Sequence, residues 1–241
     1  MPAQGSQTTV VGNEAVLLNV VEQLSRPLLQ LRNMAELAVT DPALAAEQWQ
    51  AVRVLSDTGL QLTQSYALNL RLHGKLTLLE LEPVAVSALL YDTAHMLEPY
   101  AKQHGVALEL DTGPRVAPVL ADRTVLQSAL TSLGQVFIES SSQQETTAAV
   151  RLSAHRSRYG MVTGLYTDAA ASLGAESLRQ ARQLQAKARQ PLQRLVSGPA
   201  AGVFVADALL QNLASRLHVA RYHKLTGLAA TLTPSAQLQL M

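Results

Sequence analysis

The sequence predicts an α+β protein, a long antiparallel helical hairpin followed by a mixed α/β domain. Three observations carry that expectation. First, Leu17, Val21, Leu24, Leu28, Leu31, Ala35 and Ala38 recur at spacings of four and three, and Val52, Leu55, Gly59, Leu62, Tyr66 and Asn69 repeat the rhythm. That spacing is the seam of helices packed lengthwise. Second, past residue 73 the apolar pattern shortens and alternates, as half-buried strands do, with helical stretches between. Third, the 241 residues are 48 % hydrophobic but only 4 % aromatic, so the core is built from Leu, Val and Ala, which favours helix.

Composition also excludes functions. A net charge of +1 argues against a nucleic-acid binder that works by neutralising phosphates. The absence of cysteine removes disulfides, thiol catalysis and cysteine-ligated zinc. The six histidines lack metal-ligand spacing, and no HExxH, Walker loop or GxSxG is present. Residues 1–10 lack a basic residue followed by an apolar run, and no apolar stretch approaches about 20 residues, so neither a secretory signal nor a membrane span is expected. The expected location is cytoplasmic.

Residues 1–12 are polar. Helical periodicity runs from Asn13 to about Val39, bent at Pro27, which removes one hydrogen bond. Thr40-Asp41-Pro42 is a turn, and Pro42 suits the first turn of a second helix reaching about Leu72. The hairpin, 13–73, cannot bury both apolar sides alone. A homodimer forming a four-helix bundle solves this; the alternative is a hairpin packed inside a monomeric helical protein.

The second domain, 76–241, opens after the break at His73-Gly74-Lys75. Expected elements are a strand at 76–81, a helix opened by Pro83 and running over 84–104, strands at 106–110 and 116–120, and a helix over 123–139 capped by Asp122. A polar loop at 140–147, a strand at 148–155, a turn at 156–160 and a strand at 161–166 follow. Residues 173–197 read as a basic helix with Arg179, Arg182, Lys187, Arg189 and Arg194. A helix over 203–217 and a hairpin of 219–224 with 228–233 complete the chain.

Two sets of residues resemble sensor histidine kinases. Glu22-Gln-Leu-Ser-Arg-Pro-Leu28 resembles the phosphoacceptor box H-E-L-R-T-P-L, with Leu24, Pro27 and Leu28 kept. Pro83-Val-Ala-Val-Ser-Ala-Leu-Leu90, the strand at 106–110, Val119-Leu-Ala-Asp122 and the helix over 126–139 follow the order of the kinase ATP-binding domain. The resemblance implies an α/β sandwich of that kind behind a dimeric four-helix bundle.

Against that frame the chemical positions are changed. Glu22 stands where the phosphoacceptor histidine would, Gln23 at the acid and Arg26 at the Thr. Two readings of Glu22 stay open: an exposed i,i+4 pair with Arg26 worth roughly 0.2–0.5 kcal/mol, or a fixed negative charge where phosphohistidine would sit. The N box N-L-x-x-N-A reads Ser132-Leu-Gly-Gln-Val136-Phe137, placing apolar Val136 at the magnesium-binding Asn. The adenine box D-x-G-x-G keeps Asp168 but has Ala170 and Ser172 for its glycines, and Asp168 also suits an N-cap. The phosphate-cradling segment is reduced to Ser197-Gly-Pro-Ala-Ala-Gly202, leaving Gly198 and Gly202.

The resemblance thus implies a degenerate histidine kinase, a pseudokinase of two-component signalling, with no catalytic residue, no metal site and no ATP or magnesium cofactor. It would act as a homodimer that docks a response regulator receiver domain or a partner histidine kinase through Ser25, Arg26, Leu29, Arg32 and Asn33. Two other readings remain: an atypical kinase or phosphotransferase with residual ATP binding, and a dimeric scaffold outside two-component signalling.

Overall fold

From Ala45 the chain folds as α1 (Ala45–His73), β1 (Glu82–Val84), α2 (Val86–Gln103), β2 (Ala107–Thr112), β3 (Val119–Ala121), α3 (Arg123–Ser141), β4 (Ala149–Ser157), β5 (Gly160–Thr167), α4 (Pro199–Asn212), β6 (Leu217–Tyr222) and β7 (Leu225–Leu232). This computed structural model describes residues 28–29, 31–36, 45–114, 116–142, 148–168, 178–179, 182 and 199–235.

Five strands form one sheet in the order β2-β4-β5-β7-β6. β2 runs parallel to β4, and the other pairs are antiparallel. The parallel pair needs a crossover, and the segment containing β3 and α3 supplies it. β1 and β3 form a separate antiparallel pair. The open side of β3 bonds the chain beyond β7, through Leu120 N to Thr233 O at 3.0 Å and Ser235 N to Pro118 O at 2.8 Å.

Helices cover one face of the sheet. α3 lies between α2 and α4, with the sheet beneath and α1 above. Its middle is therefore buried on every side, from Ala129 to Ile138. Leu126, Leu130 and Leu133 are almost wholly enclosed, and each such side chain stabilises by about 1.5–3 kcal/mol. α1 adds Val54, Tyr66 and Leu72 to the same core. Tyr66, a member of the four–three stripe, is thus covered by the α/β domain itself.

Three helix ends follow one pattern. α1 closes with Leu76 N donating to Arg71 O at 2.8 Å and Lys75 N to Leu72 O at 3.1 Å, with Lys75 left-handed at φ 54°. α2 closes the same way at Gly105, φ 68°, and α4 at Ala214, φ 52°. These are Schellman ends, which satisfy the last carbonyls.

The sheet coils strongly. The ring of Tyr222, at the far end of edge strand β6, stacks on His155 of β4 at 4.8 Å, and His223 Nε2 stands 3.9 Å from Asp111 Oδ2 on the other edge strand. Diagonal corners meet because a right-handed twist accumulates across the strands. The concave face holds a second small core of Val162, Tyr166 and Ala229 beneath Ala220, Tyr222 and Leu225.

Four expectations are corrected. Residues 76–81 form no strand: Leu76, Leu78 and Leu81 are exposed, and pairing begins only at Glu82. Pro83 does not open a helix. It lies in β1, opposite Leu120, and α2 begins at Val86; a two-stranded edge tolerates its missing N–H. The helix expected over 203–217 runs instead from Pro199 to Asn212, and Leu217 already belongs to β6. The turn expected over 156–160 tightens to Arg158-Tyr159, since Ser157 pairs with Gly160.

Asp122 caps α3, accepting from Val125 N at 3.1 Å, and its other oxygen accepts from Glu80 N at 3.1 Å. Asp122→Ala is expected to lower stability by about 1–2 kcal/mol, read as the urea midpoint, while Asp122→Asn retains most of the cap.

Candidate functional site

Val136 and Gly202, two of the four positions expected in a nucleotide groove, are brought into contact. Val136 is 5 % exposed on α3, and Gly202 lies buried in α4. A Cβ at Gly202 would overlap Val136 Cγ2 and stand 3.4 Å from the Ser132 carbonyl oxygen. Glycine allows the two helix backbones to approach, and the branched side chain fills what space remains. An apolar wall of this kind offers no ligand to a metal. Asp168 is exposed at the end of β5, with Thr167 Oγ1 donating to it at 3.4 Å. Gly198, and the residues after Asp168 that would decide between cap and adenine partner, lie outside the described residues.

Gln135, beside Val136, points toward α1. It is buried, and its Nε2 donates to Gln61 Oε1 of α1 at 3.2 Å. Along the same side α1 buries Thr58, Ser65 and Asn69. The contact between α1 and the helical layer is therefore partly polar.

Of the phosphoacceptor-like box, Glu22, Gln23, Leu24, Ser25, Arg26 and Pro27 lie outside the described residues. Residues 28–29 and 31–36 are helical, as their periodicity predicts. Leu28 is 63 % exposed and Leu29 51 %. Arg32 and Asn33 are exposed too, and Arg32 Nε stands 3.5 Å from Glu36 Oε1 one turn on. Leu29, Arg32 and Asn33 thus share an accessible helical stretch. Trp49 and Leu60 of α1 are also largely exposed.

Polar groups absent from the expected site prove to be structural. Asp207 of α4 is buried, with Oδ1 accepting from Leu217 N at 2.9 Å and Oδ2 from Gln211 Nε2 at 3.2 Å. Arg182 joins it at 3.6 Å and donates to Leu217 O at 2.6 Å. Nothing in the sequence around Asp207 marks it, because its partner lies across a turn. Tyr100 donates to Glu139 at 2.8 Å, and burial and that carboxylate both push its hydroxyl pKa up. His104, edge-on to Tyr100 at 4.5 Å, is pushed below the usual imidazole range by burial, with Glu139 opposing.

With this geometry in view, comparison with known proteins is informative at the level of fold. No family model and no curated protein sequence matches the chain. Solved structures do. Full-length ShkA, in complex with AMPPNP, aligns at TM-score 0.53 and 18 % identity over 97 % of this chain and 47 % of that one. The Acinetobacter baumannii histidine kinase AdeS aligns at 0.51 and 13 % over 88 % of this chain and 98 % of that one. The nucleotide-free catalytic domain of histidine kinase ThkA aligns at 0.51 and 11 %, covering 64 % and 96 %. The fold is histidine-kinase-like. The helical region followed by a mixed sheet matches the architecture of the kinase ATP-binding region, as the order of elements predicts. This chain spans about half the length of ShkA. Among the described residues of this histidine-kinase-like fold, no helix is long and apolar enough to cross a membrane.

Gly202→Ala is expected to cost about 1–3 kcal/mol through overpacking, and Val136→Ala in the same chain to recover part of it. Urea midpoints of the two single variants and the double variant measure that coupling. Stability is also expected to fall with acid. The unfolded chain takes a proton on His104 from about pH 6.5, whereas the folded site resists until its lower pKa is passed. The unfolded state therefore binds more protons in that window, and stability drops as pH falls through it. Midpoints at about pH 7.5 and 5.5 should differ less in His104→Gln.

Proposed function

We propose that this chain is a signalling protein that uses a histidine-kinase-like fold for binding and not for phosphoryl transfer. It acts as a homodimeric docking module for a response regulator receiver domain, or for a partner histidine kinase. The observation that carries this reading is the contact of Val136 with Gly202. A similar fold holds AMPPNP in ShkA, but here the position expected to bind magnesium is a valine packed against a neighbouring helix. Phosphoryl transfer depends on metal and charge stabilisation, and an apolar helix contact supplies neither.

The docking half of the proposal rests on the hairpin. Leu28 and Leu29 lie exposed beside Arg32 and Asn33, an apolar centre with a polar, basic edge. Interfaces favour that arrangement, and a receiver domain presents acidic residues around its phosphorylated aspartate. Leu28 also belongs to the four–three seam, so a second copy packed along it completes the bundle. Glu22 would place a permanent carboxylate at the phosphoacceptor position.

Titration with ATP and magnesium in a calorimeter is expected to give no binding; micromolar affinity would overturn the non-catalytic reading. Leu29→Asp and Arg32→Glu are expected to weaken capture of a receiver domain by about tenfold each, with the urea midpoint unchanged. Light scattering should report a dimer, and a monomer at micromolar concentration would refute the four-helix bundle.

A further inference from the structure

The concave face of the sheet, turned away from the helices, carries buried polar atoms. Ser153 Oγ, His155 Nδ1 and the Tyr166 hydroxyl find no hydrogen-bond partner among the described residues. Ser153 and Tyr166 are fully enclosed. Register puts them together: Arg151, Ser153 and His155 alternate along one face of β4, opposite Tyr166, Gly164 and Val162 of β5. Gly164 and its neighbour Ala229 form a flat floor.

Tyr222 closes this hollow. Its ring stacks on His155 at 4.8 Å with an interplanar angle of 20°, and lies 5.4 Å from the Tyr166 ring. It hangs from a two-residue turn in which His223 is left-handed at φ 52°, a conformation a side-chain-bearing residue adopts at a cost. The turn reaches the opposite edge strand, where His223 Nε2 stands 3.9 Å from Asp111 Oδ2, an ion pair when the imidazole is protonated. A strained turn therefore lays an aromatic ring over three unsatisfied polar groups. Native proteins rarely leave such groups unpaired without a reason.

We propose that Tyr222 is a plug over a binding pocket, and that the pocket takes a small, neutral, planar heteroaromatic ring of nucleobase size. Such a ring occupies the place of the Tyr222 side chain, stacked on His155 and against Tyr166. Its edge atoms supply what phenol carbon cannot, hydrogen bonds to Ser153 and Tyr166. Burial and the nearby Tyr222 push the Tyr166 hydroxyl up to about 12, so it remains a donor at neutral pH. Burial likewise pushes His155 down, against the pull of Asp111 and with that of His223, so its ring is a neutral stacking surface. An anion fits poorly: Arg151 is already engaged by Glu109 at 2.6 Å, and Asp111 stands at the rim. The pocket lies on the opposite face of the sheet from Val136 and does not depend on the function proposed above.

The test is calorimetric binding of free adenine to the full chain, with indole as the ring that lacks a polar edge. Tyr222→Ala is expected to bind adenine at least about tenfold more tightly than the wild type, because the competing ring is gone. Adding Ser153→Ala should remove about tenfold again, with circular dichroism unchanged. Asp111→Asn, which keeps the ring and loosens its tether, should raise adenine affinity by a smaller factor, and it serves if Tyr222→Ala does not fold. The proposal is overturned if folded Tyr222→Ala binds adenine no better than the wild type, if Asp111→Asn has no effect where Tyr222→Ala cannot be measured, if indole binds as well as adenine, or if Ser153→Ala changes nothing.

Discussion

The close approach of α3 and α4 at Val136 and Gly202 sets the geometry of the domain. Two helix backbones can come this near only where one lacks a side chain. Gly134 does the same on the other flank of α3, where a Cβ would overlap Leu97 of α2. These two glycines let three helices share a narrow layer above the coiled sheet. α1 then lies across the layer through a mixed surface, Val54, Tyr66 and Leu72 beside the glutamine pair and the buried Thr58, Ser65 and Asn69. Hydrophobic interest in the middle layer is spent inward, and the outer contact is left partly polar, as interfaces between separable units tend to be.

Much of this was legible from the sequence, and the failures are physical ones. Periodicity located α1, α3, β4 and β5 to within a few residues, because each buries a regular face. Helix ends were legible where glycine marked them: Gly105 ends α2, and Gly74 sits next to the left-handed Lys75. The end of α4 was missed because Ala214 takes the left-handed position with no glycine to announce it. Residues 76–81 carry strand composition, but composition cannot say whether a partner strand exists. Pro83 has the fixed φ of a helix start, and that φ suits an edge strand as well.

The site divides along the same line. Val136 was informative in the sequence, since the resemblance expects a polar residue there and an apolar one is visible without coordinates. Its contact with Gly202, some sixty-six residues away in the chain, was not, and glycine there read as a remnant of a loop when it is a packing residue. Asp207 gave no sign of its role, which comes from Leu217 and Arg182. The stack of Tyr222 on His155 is still less accessible to sequence reasoning, because it arises only from twist summed over the width of the sheet.

The small pair of β1 and β3 has a consequence for how the chain is made. β3 bonds residues 82–84 on one side and residues 233–235 on the other. The start and the finish of the α/β domain therefore meet on a single three-residue strand. No growing chain can close that junction until residue 235 has emerged from the ribosome. Long-range closure of this kind slows folding.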